Sequence, residues 1–266
     1  MVAGIGPWLP PPRSFLPAGS ALEDLPMRRF AIAFALFTLA ASSAEAWNWG
    51  PGTQGDGKKV TQQRAIPGAF DAVQTSGSID ARITVGPAPS ISVTIDENLQ
   101  PQVKLELRGS TLVIEQEGNM SYRGDAYVTI TLPVLKGAAT SGSGDATIDG
   151  SSGGDLSLKT SGSGDLRWTG TAKRLEVATS GSGDAVLSGK ADSLDAHTSG
   201  SGDVKGAELT VAGDVSVSTS GSGDVEIRMT GGALKARTSG SGDVVYLGDA
   251  RNVDARTSGS GEVRRR

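Results

Sequence analysis

From Leu175 onward, alternate positions are apolar or small (Leu175, Val177, Thr179, Gly181, Gly183, Ala185, Leu187), and Glu176, Ala178, Ser180, Ser182, Asp184, Val186 and Ser188 fall between them. The same register gives Leu156, Leu158, Thr160, Gly162, Gly164, Leu166 and Trp168 earlier, and Val215, Val217, Thr219, Gly221, Gly223, Val225 and Ile227 later. A period of two sustained this long predicts strand structure with one buried and one solvated face. Two glycines on the buried face leave room for little but backbone, which predicts a close approach of the opposite wall. Residues 189–193 are left to carry the turn.

The string TSGSGD begins at Thr140, Thr160, Thr179, Thr198, Thr219 and Thr238, TSGSGE begins at Thr257, and a diverged TSGSID begins at Thr75. The seven regular copies are spaced by 20, 19, 19, 21, 19 and 19 residues. A coil this short buries only one narrow face, so it is stable only when stacked on neighbours of the same kind. The prediction is an all-β chain, a parallel β-helix (β-solenoid) of 19 to 21-residue coils. Like residues then form columns about 4.8 Å apart. The general rule for parallel crossovers makes the coil right-handed.

The regular array occupies residues 140–266. Before it, residues 65–139 carry alternating runs (Ile91, Val93, Ile95; Val103, Leu105, Leu107; Leu112, Ile114; Val128, Ile130, Leu132) with a short hairpin turn at Arg108, Gly109 and Ser110. This stretch reads as divergent first coils or an irregular N-terminal β cap, since the terminal units of repeat arrays are atypical.

The N-terminus reads as an export segment. Met27, Arg28 and Arg29 precede the apolar run Phe30 to Ala41, and Ala44, Glu45 and Ala46 give a small-x-small cleavage pattern, so residues 27–46 form a signal peptide and the mature chain starts at Trp47. The apolar run is shorter than the roughly 20 residues a spanning helix needs, so no transmembrane anchor is expected in the mature chain. Residues 1–26 are a non-native or disordered leader, and residues 47–64 an N-terminal tail. The expected location is exported: periplasmic, on the outer surface or secreted.

Composition narrows the chemistry. Glycine makes up 38 of 266 residues, about twice the usual share of ~7%, which fits a thin core. With no cysteine and His197 as the one histidine, zinc fingers, thiol catalysis and multi-histidine metal sites are excluded. Twenty-five basic against 29 acidic residues give a net charge of −4, without the basic field a nucleic-acid partner would need.

The outward acids Asp145, Asp165, Asp184, Asp203, Asp224, Asp243 and Glu262 form a column if the coils stack in register. Carboxylates about 5 Å apart repel, so the ladder is splayed into solvent or offset by cations. Calcium is the candidate ion, although the Asp stands one residue too early for a GGxGxD β-roll and the period is about 19 residues. Ser143, Ser163, Ser182, Ser201, Ser222, Ser241 and Ser260 form a second column, a flat polar strip suited to a periodic ligand such as a cell-surface polysaccharide or to another envelope protein. His197 takes an outward slot filled elsewhere by Lys159, Ala178, Ser218, Arg237 and Arg256, a surface position rather than that of a catalytic base. Gly150, Ser152 and Gly154 spell GxSxG without the strand-to-helix context a nucleophile needs.

No catalytic residue and no obligatory cofactor is assigned. The reading is a non-enzymatic surface-interaction protein. Its alternatives are a calcium-stabilised repeat protein and a polysaccharide-active β-helix enzyme, whose irregular loops and Asp, Arg and Lys cluster these near-identical coils lack. Arg264, Arg265 and Arg266 follow the last motif and are expected to repel an identical end, giving a monomer or weak end-to-end association.

The run Phe70, Asp71, Ala72, Val73 into TSGSID with Ile83 and Gly86, the DENL string from Asp96 to Leu99, the hairpin ending in Leu112 and Ile114, and VTITLPVLK from Val128 to Lys136 together resemble the bacterial GIN-domain family of auto-transporter adhesin heads. The resemblance spans residues 65–263 and implies a β-helical secreted or envelope-associated adhesin. An auto-transporter also carries a C-terminal membrane barrel, which does not follow the last motif here; the likeness is to the head, and self-transport is not the expectation.

Overall fold

The computed structural model describes residues 52–150 and 153–266. Residues 27–46, Trp47, Trp49 and Ser152 lie outside the described residues, and with them the signal peptide, its Ala44 and Ala46, and the centre of the GxSxG string.

The chain forms a β-solenoid of parallel-stacked coils, whose strands make one continuous 19-stranded sheet with two parallel faces, a first and a second sheet joined through the long strands. The first sheet holds the strands that enter the TSGSGD motif: Ala72–Gly77, Gly137–Gly142, Leu156–Thr160, the second half of Leu166–Thr179, the second half of Ala185–Thr198, Val215–Thr219, Ala233–Thr238 and Asn252–Thr257. The second holds the strands that leave it: Asp80–Val85, Ala146–Asp149, the first halves of the two long strands, Val204–Val211, Val225–Thr230, Val244–Asp249 and Val263–Arg265. Motif threonines stand directly opposite one another, Thr75 with Thr140, Thr140 with Thr160 and onward to Thr257.

The diverged copy at Thr75 is therefore the first coil of the stack, directly beneath the Thr140 coil. The two threonines are 65 positions apart, and after Asp80–Val85 the chain leaves the array and returns. Within that excursion, Thr111–Gln116 joins the first sheet in parallel and pairs antiparallel with Val103–Arg108. Tyr127–Leu132 joins the second sheet and is extended antiparallel by Ser90–Asp96 and then Lys59–Gln63. Both sheets are thus continued by antiparallel strands at the N-terminal end. The 3-10 helix Glu97–Gln102 belongs to this end, with Leu99 and Gln100 buried. Gln100 Nε2 donates to the carbonyls of Val60 and Val93, and Arg64 donates to the Gln100 carbonyl and side chain. These bonds explain a buried polar glutamine directly after the DENL string.

The core lies between the sheets. Leu156, Leu175, Leu194, Val215 and Leu234 line one side, and Ile83, Ile148, Trp168, Leu187 and Ile227 line the other; each is at most 3% exposed. Full burial of each such side chain is worth about 2 kcal/mol, and the columns repeat it coil after coil. The 21-residue coil accommodates its extra residues by register shifts around Ser188 and Thr210 rather than by breaking the stack.

Two expectations are corrected. The strand does not run through the motif: it ends at the threonine in the copies from Thr160 onward, two residues later in the Thr75 and Thr140 copies, and does not resume until after the aspartate in the regular copies, so TSGSGD is a corner. Residues 189–193, expected to be the turn, stay paired to the coil below (Gly170 with Gly189, Thr171 with Lys190, Ala172 with Ala191). The chain bends there at Gly189, whose φ is +113°, a left-handed conformation glycine adopts without steric cost. Inside and outside continue to alternate across the motif, with Thr179, Gly183 and Ala185 buried and Ser180 and Ser182 exposed, so side-chain pattern does not reveal the bend. Of the arginines at the end, Arg265 contacts Asp249 at 2.6 Å and Arg266 contacts Glu226 at 2.9 Å.

Candidate functional site

The site is built from the corner outward. Its threonine points inward and is 2–4% exposed in every copy from Thr75 to Thr238. The Oγ1 atoms of Thr140 and Thr160 each donate across the bend to the carbonyls of Gly144 and Gly164 at 3.0 Å, which places a hydroxyl where the core would otherwise take valine. Backbone bonds then tie each corner to the one below. In the Thr179 copy, Ser180 N donates to Thr160 O, and Ser182 N and Gly183 N both donate to Gly162 O. An added Cβ at Gly181 would stand 2.0 Å from Gly162 O, and one at Gly183 2.0 Å from Gly164 O. The glycines are thus required by the neighbouring coil along the stack, not by the opposite wall.

The acidic column continues this pattern. Asp145 N donates to Asp80 Oδ1 at 2.9 Å, Asp165 N to Asp145, Asp184 N to Asp165, Asp203 N to Asp184, Asp224 N to Asp203, Asp243 N to Asp224 and Glu262 N to Asp243, all at 2.8–3.0 Å. Each aspartate caps the backbone of the next corner. The second oxygens meet cations at four rungs: Arg167 reaches Asp145 (3.5 Å) and Asp165 (3.0 Å), and Lys205 contacts Asp184 and, at 3.6 Å, Asp203. Burial pulls the Asp184 carboxyl upward, but the Asp203 N–H and the Lys205 ammonium outweigh it and hold Asp184 below the ordinary carboxylate range. Among the described residues no three acidic or histidine side chains converge as a metal site would require.

Sequence reasoning missed three parts of this ladder. Asp80 is its first rung, legible in TSGSID once Ile79 is seen to replace the glycine. Arg167 and Lys205 stand two residues beyond an aspartate, where the alternation that continues across the corner puts them on the same face. The threonine hydroxyl was signalled by a polar residue recurring in an inward register.

The serines Ser143, Ser163, Ser182, Ser201, Ser222, Ser241 and Ser260 are all exposed, as are Ser141, Ser161, Ser180, Ser199, Ser220, Ser239 and Ser258 two residues before them. Two hydroxyl columns therefore run side by side along the corner. A groove of about 380 Å³ lined by Ser76, Ser78, Gln116, Ser141 and Ser143 lies at the N-terminal end of this strip. One of about 310 Å³ lined by Ser218, Arg237, Ser239, Arg256 and Ser258 lies toward the other. His197 lies on the outer face of the first sheet with Nε2 3.1 Å from Asp195 Oδ1. The hydrogen bond to Asp195 raises the imidazole above its ordinary pKa, and the same bond lowers the Asp195 carboxyl. The pair is half-exposed, a surface ion pair worth less than about 1 kcal/mol.

Comparison with known proteins gives one family. Residues 69–250 match the family described as "Putative auto-transporter adhesin, head GIN domain". Among solved structures, a protein from Bacteroides fragilis NCTC 9343 described as "a putative adhesin" superposes with a TM-score of 0.75 at 21% identity, over 81% of this chain and 100% of its own. One from Parabacteroides distasonis ATCC 8503, described as "Putative lipid binding protein", gives 0.65 at 23% identity, over 80% and 99%. A third, "a putative adhesin" from Parabacteroides merdae ATCC 43184, gives 0.62 at 24% identity, over 80% and 98%. These likenesses establish a shared fold. A search of curated protein sequences returned no match.

Proposed function

We propose that this chain, which belongs to the head GIN domain family, is an exported, non-enzymatic surface-interaction protein that binds a cell-surface polysaccharide along its TSGSGD corner. The observation that carries the reading is the pair of exposed serine columns on a corner whose backbone is already bonded from coil to coil. Fixed main chain presents the hydroxyls in a rigid row, at the roughly 4.8 Å repeat of the stack, and a periodic ligand can meet that row without ordering it first. The family's adhesin description supports the same reading. Asp145, Asp165, Asp184, Asp203, Asp224 and Asp243 each accept a backbone N–H of the next corner, and the first four also face Arg167 or Lys205, which supports a role in the fold rather than in catalysis.

The test is binding of the full chain to immobilised lipopolysaccharide, capsular polysaccharide and peptidoglycan, beside the triple variant Ser163→Gln, Ser182→Gln, Ser201→Gln. The longer side chains stand in solvent, so the melting temperature should stay within about 2 °C. Affinity for the bound polymer should fall at least about tenfold. Equal binding by the triple variant, or release of new reducing ends from any of the polymers, would contradict the proposal.

A further inference from the structure

The position just before each motif threonine carries Lys159, Ala178, His197, Ser218, Arg237 and Arg256 in successive coils, and the position two residues earlier carries Ser157, Glu176, Asp195, Ser216, Lys235 and Asp254. Both positions face outward on the first sheet. Where the first position is basic, an acid at the second answers it: Lys159 with Glu176 at 3.4 Å, His197 with Asp195 at 3.1 Å, Arg256 with Asp254 at 3.4 Å.

Arg237 breaks the rule. The residue two before it is Lys235, its cross-strand neighbours are Ser218 and Arg256, and Asp254, which stands to it as Glu176 does to Lys159, pairs with Arg256 instead. Among the described residues neither Arg237 nor Lys235 makes an ion pair. Like charges directly opposite on a sheet are destabilising; Asp254 answers Arg256 at 3.4 Å, and Arg237 is left without an acid of its own.

The two arginines line the 310 Å³ groove together with Ser218, Ser239 and Ser258. Residues 231–266 hold seven Lys and Arg against four Asp and Glu, an excess of +3 in a chain of net charge −4. The C-terminal coils thus carry a net positive charge where the chain as a whole is negative.

We infer that this groove is an anion subsite, in which Arg237 and Arg256 bind a carboxylate or sulfate group of an acidic polysaccharide while the flanking serines meet its hydroxyls. The inference rests on the corner being the binding strip and assigns the charge class of its ligand. Guanidinium forks match planar or tetrahedral oxyanions geometrically, and two of them one coil apart suit a polymer that repeats its charge. A single-stranded nucleic acid would instead want aromatic faces for its bases, and the groove has none.

The experiment measures binding of the full chain to polygalacturonate, dextran sulfate, neutral dextran and poly-dT. It compares Arg237→Ser/Arg256→Ser with Arg251→Ser/Arg264→Ser, which removes two charges from the same end of the stack but outside the groove. The native chain should bind one or both acidic polysaccharides, more weakly as salt rises, and should bind dextran and poly-dT at least tenfold less well. The groove variant should lose at least tenfold, and the control less than twofold. The proposal is overturned by equal losses in the two double variants, by no loss in the groove variant, or by tighter binding of poly-dT. If the groove variant keeps full affinity for a polysaccharide that the triple serine variant no longer binds, the strip stands and the anion subsite falls. If native and serine variants bind every polysaccharide equally, the strip itself is refuted.

Discussion

Gly183→Ala will lower the melting temperature by roughly 6–12 °C, whereas Ser182→Ala, one residue away, will leave it within about 2 °C. The new methyl would stand 2.0 Å from Gly164 O, a backbone atom that cannot rotate away. The Gly183 carbonyl is in turn the atom that a Cβ on Gly202 would meet at 2.1 Å. Relief requires the coils to separate where Ser182 N and Gly183 N share Gly162 O, so strain and weakened hydrogen bonds add. Overpacking of this kind costs about 3 kcal/mol, and a chain of this size loses about 2–4 °C for each kcal/mol. Ser182 points to solvent and its Cβ already has room. Equal shifts in thermal melts of the two variants would mean that the assigned faces are wrong.

The second large effect lies in the acidic column. Asp184→Ala should cost about 2 kcal/mol, because it removes the acceptor of the partly buried Asp203 N–H and leaves that donor without a partner. Asp184→Asn keeps an acceptor oxygen at the same place and loses only the attraction to Lys205, so it should cost less than about 1 kcal/mol. The pH dependence follows from the lowered pKa of Asp184. Between its folded value and the ordinary 3.8, the unfolded chain binds the proton and the folded chain does not, so stability rises with pH in that window. The advantage of native protein over Asp184→Asn is therefore full at neutral pH and disappears as the pH falls through the folded pKa. Urea melts of the three proteins at pH 7 and near pH 3 measure both effects. A growing advantage in acid would reverse the assignment.

The fold was legible where side chains alternate. Inward Leu175, Val177 and Ala185 and outward Ser180 and Ser182 could be told apart because a period of two survives the corner unchanged. For the same reason the bend was placed wrongly. Ser180–Asp184 leave the strand geometry without changing which side chain faces in, and Gly189 takes a left-handed conformation while residues around it remain paired. The columns of the candidate site were visible as soon as the repeat was aligned, but the role of the aspartates was not. A carboxylate that accepts the next coil's N–H looks, in sequence, like one that faces water; only the stacking register separates them. The excursion between Thr75 and Thr140 hid the first coil for a related reason, since these two threonines, on strands that lie side by side, are 65 positions apart. Arg237 was legible as a residue and illegible as an exception, because its departure from the acid-answers-base pattern needs Lys159, His197 and Arg256 placed in their pairs.

The central claim is that each copy of the motif forms one corner in a straight stack, so that the serines make a single row. The chain contains no cysteine, so nitroxide labels can be placed at Ser143→Cys and Ser260→Cys alone. These sites are six coils apart in register, and a double electron–electron resonance measurement should give a single distance centred near 29 Å, six steps of about 4.8 Å. A centre beyond about 40 Å or below about 20 Å, or two populations, would show that the coils are not stacked one motif per rung at the strand spacing.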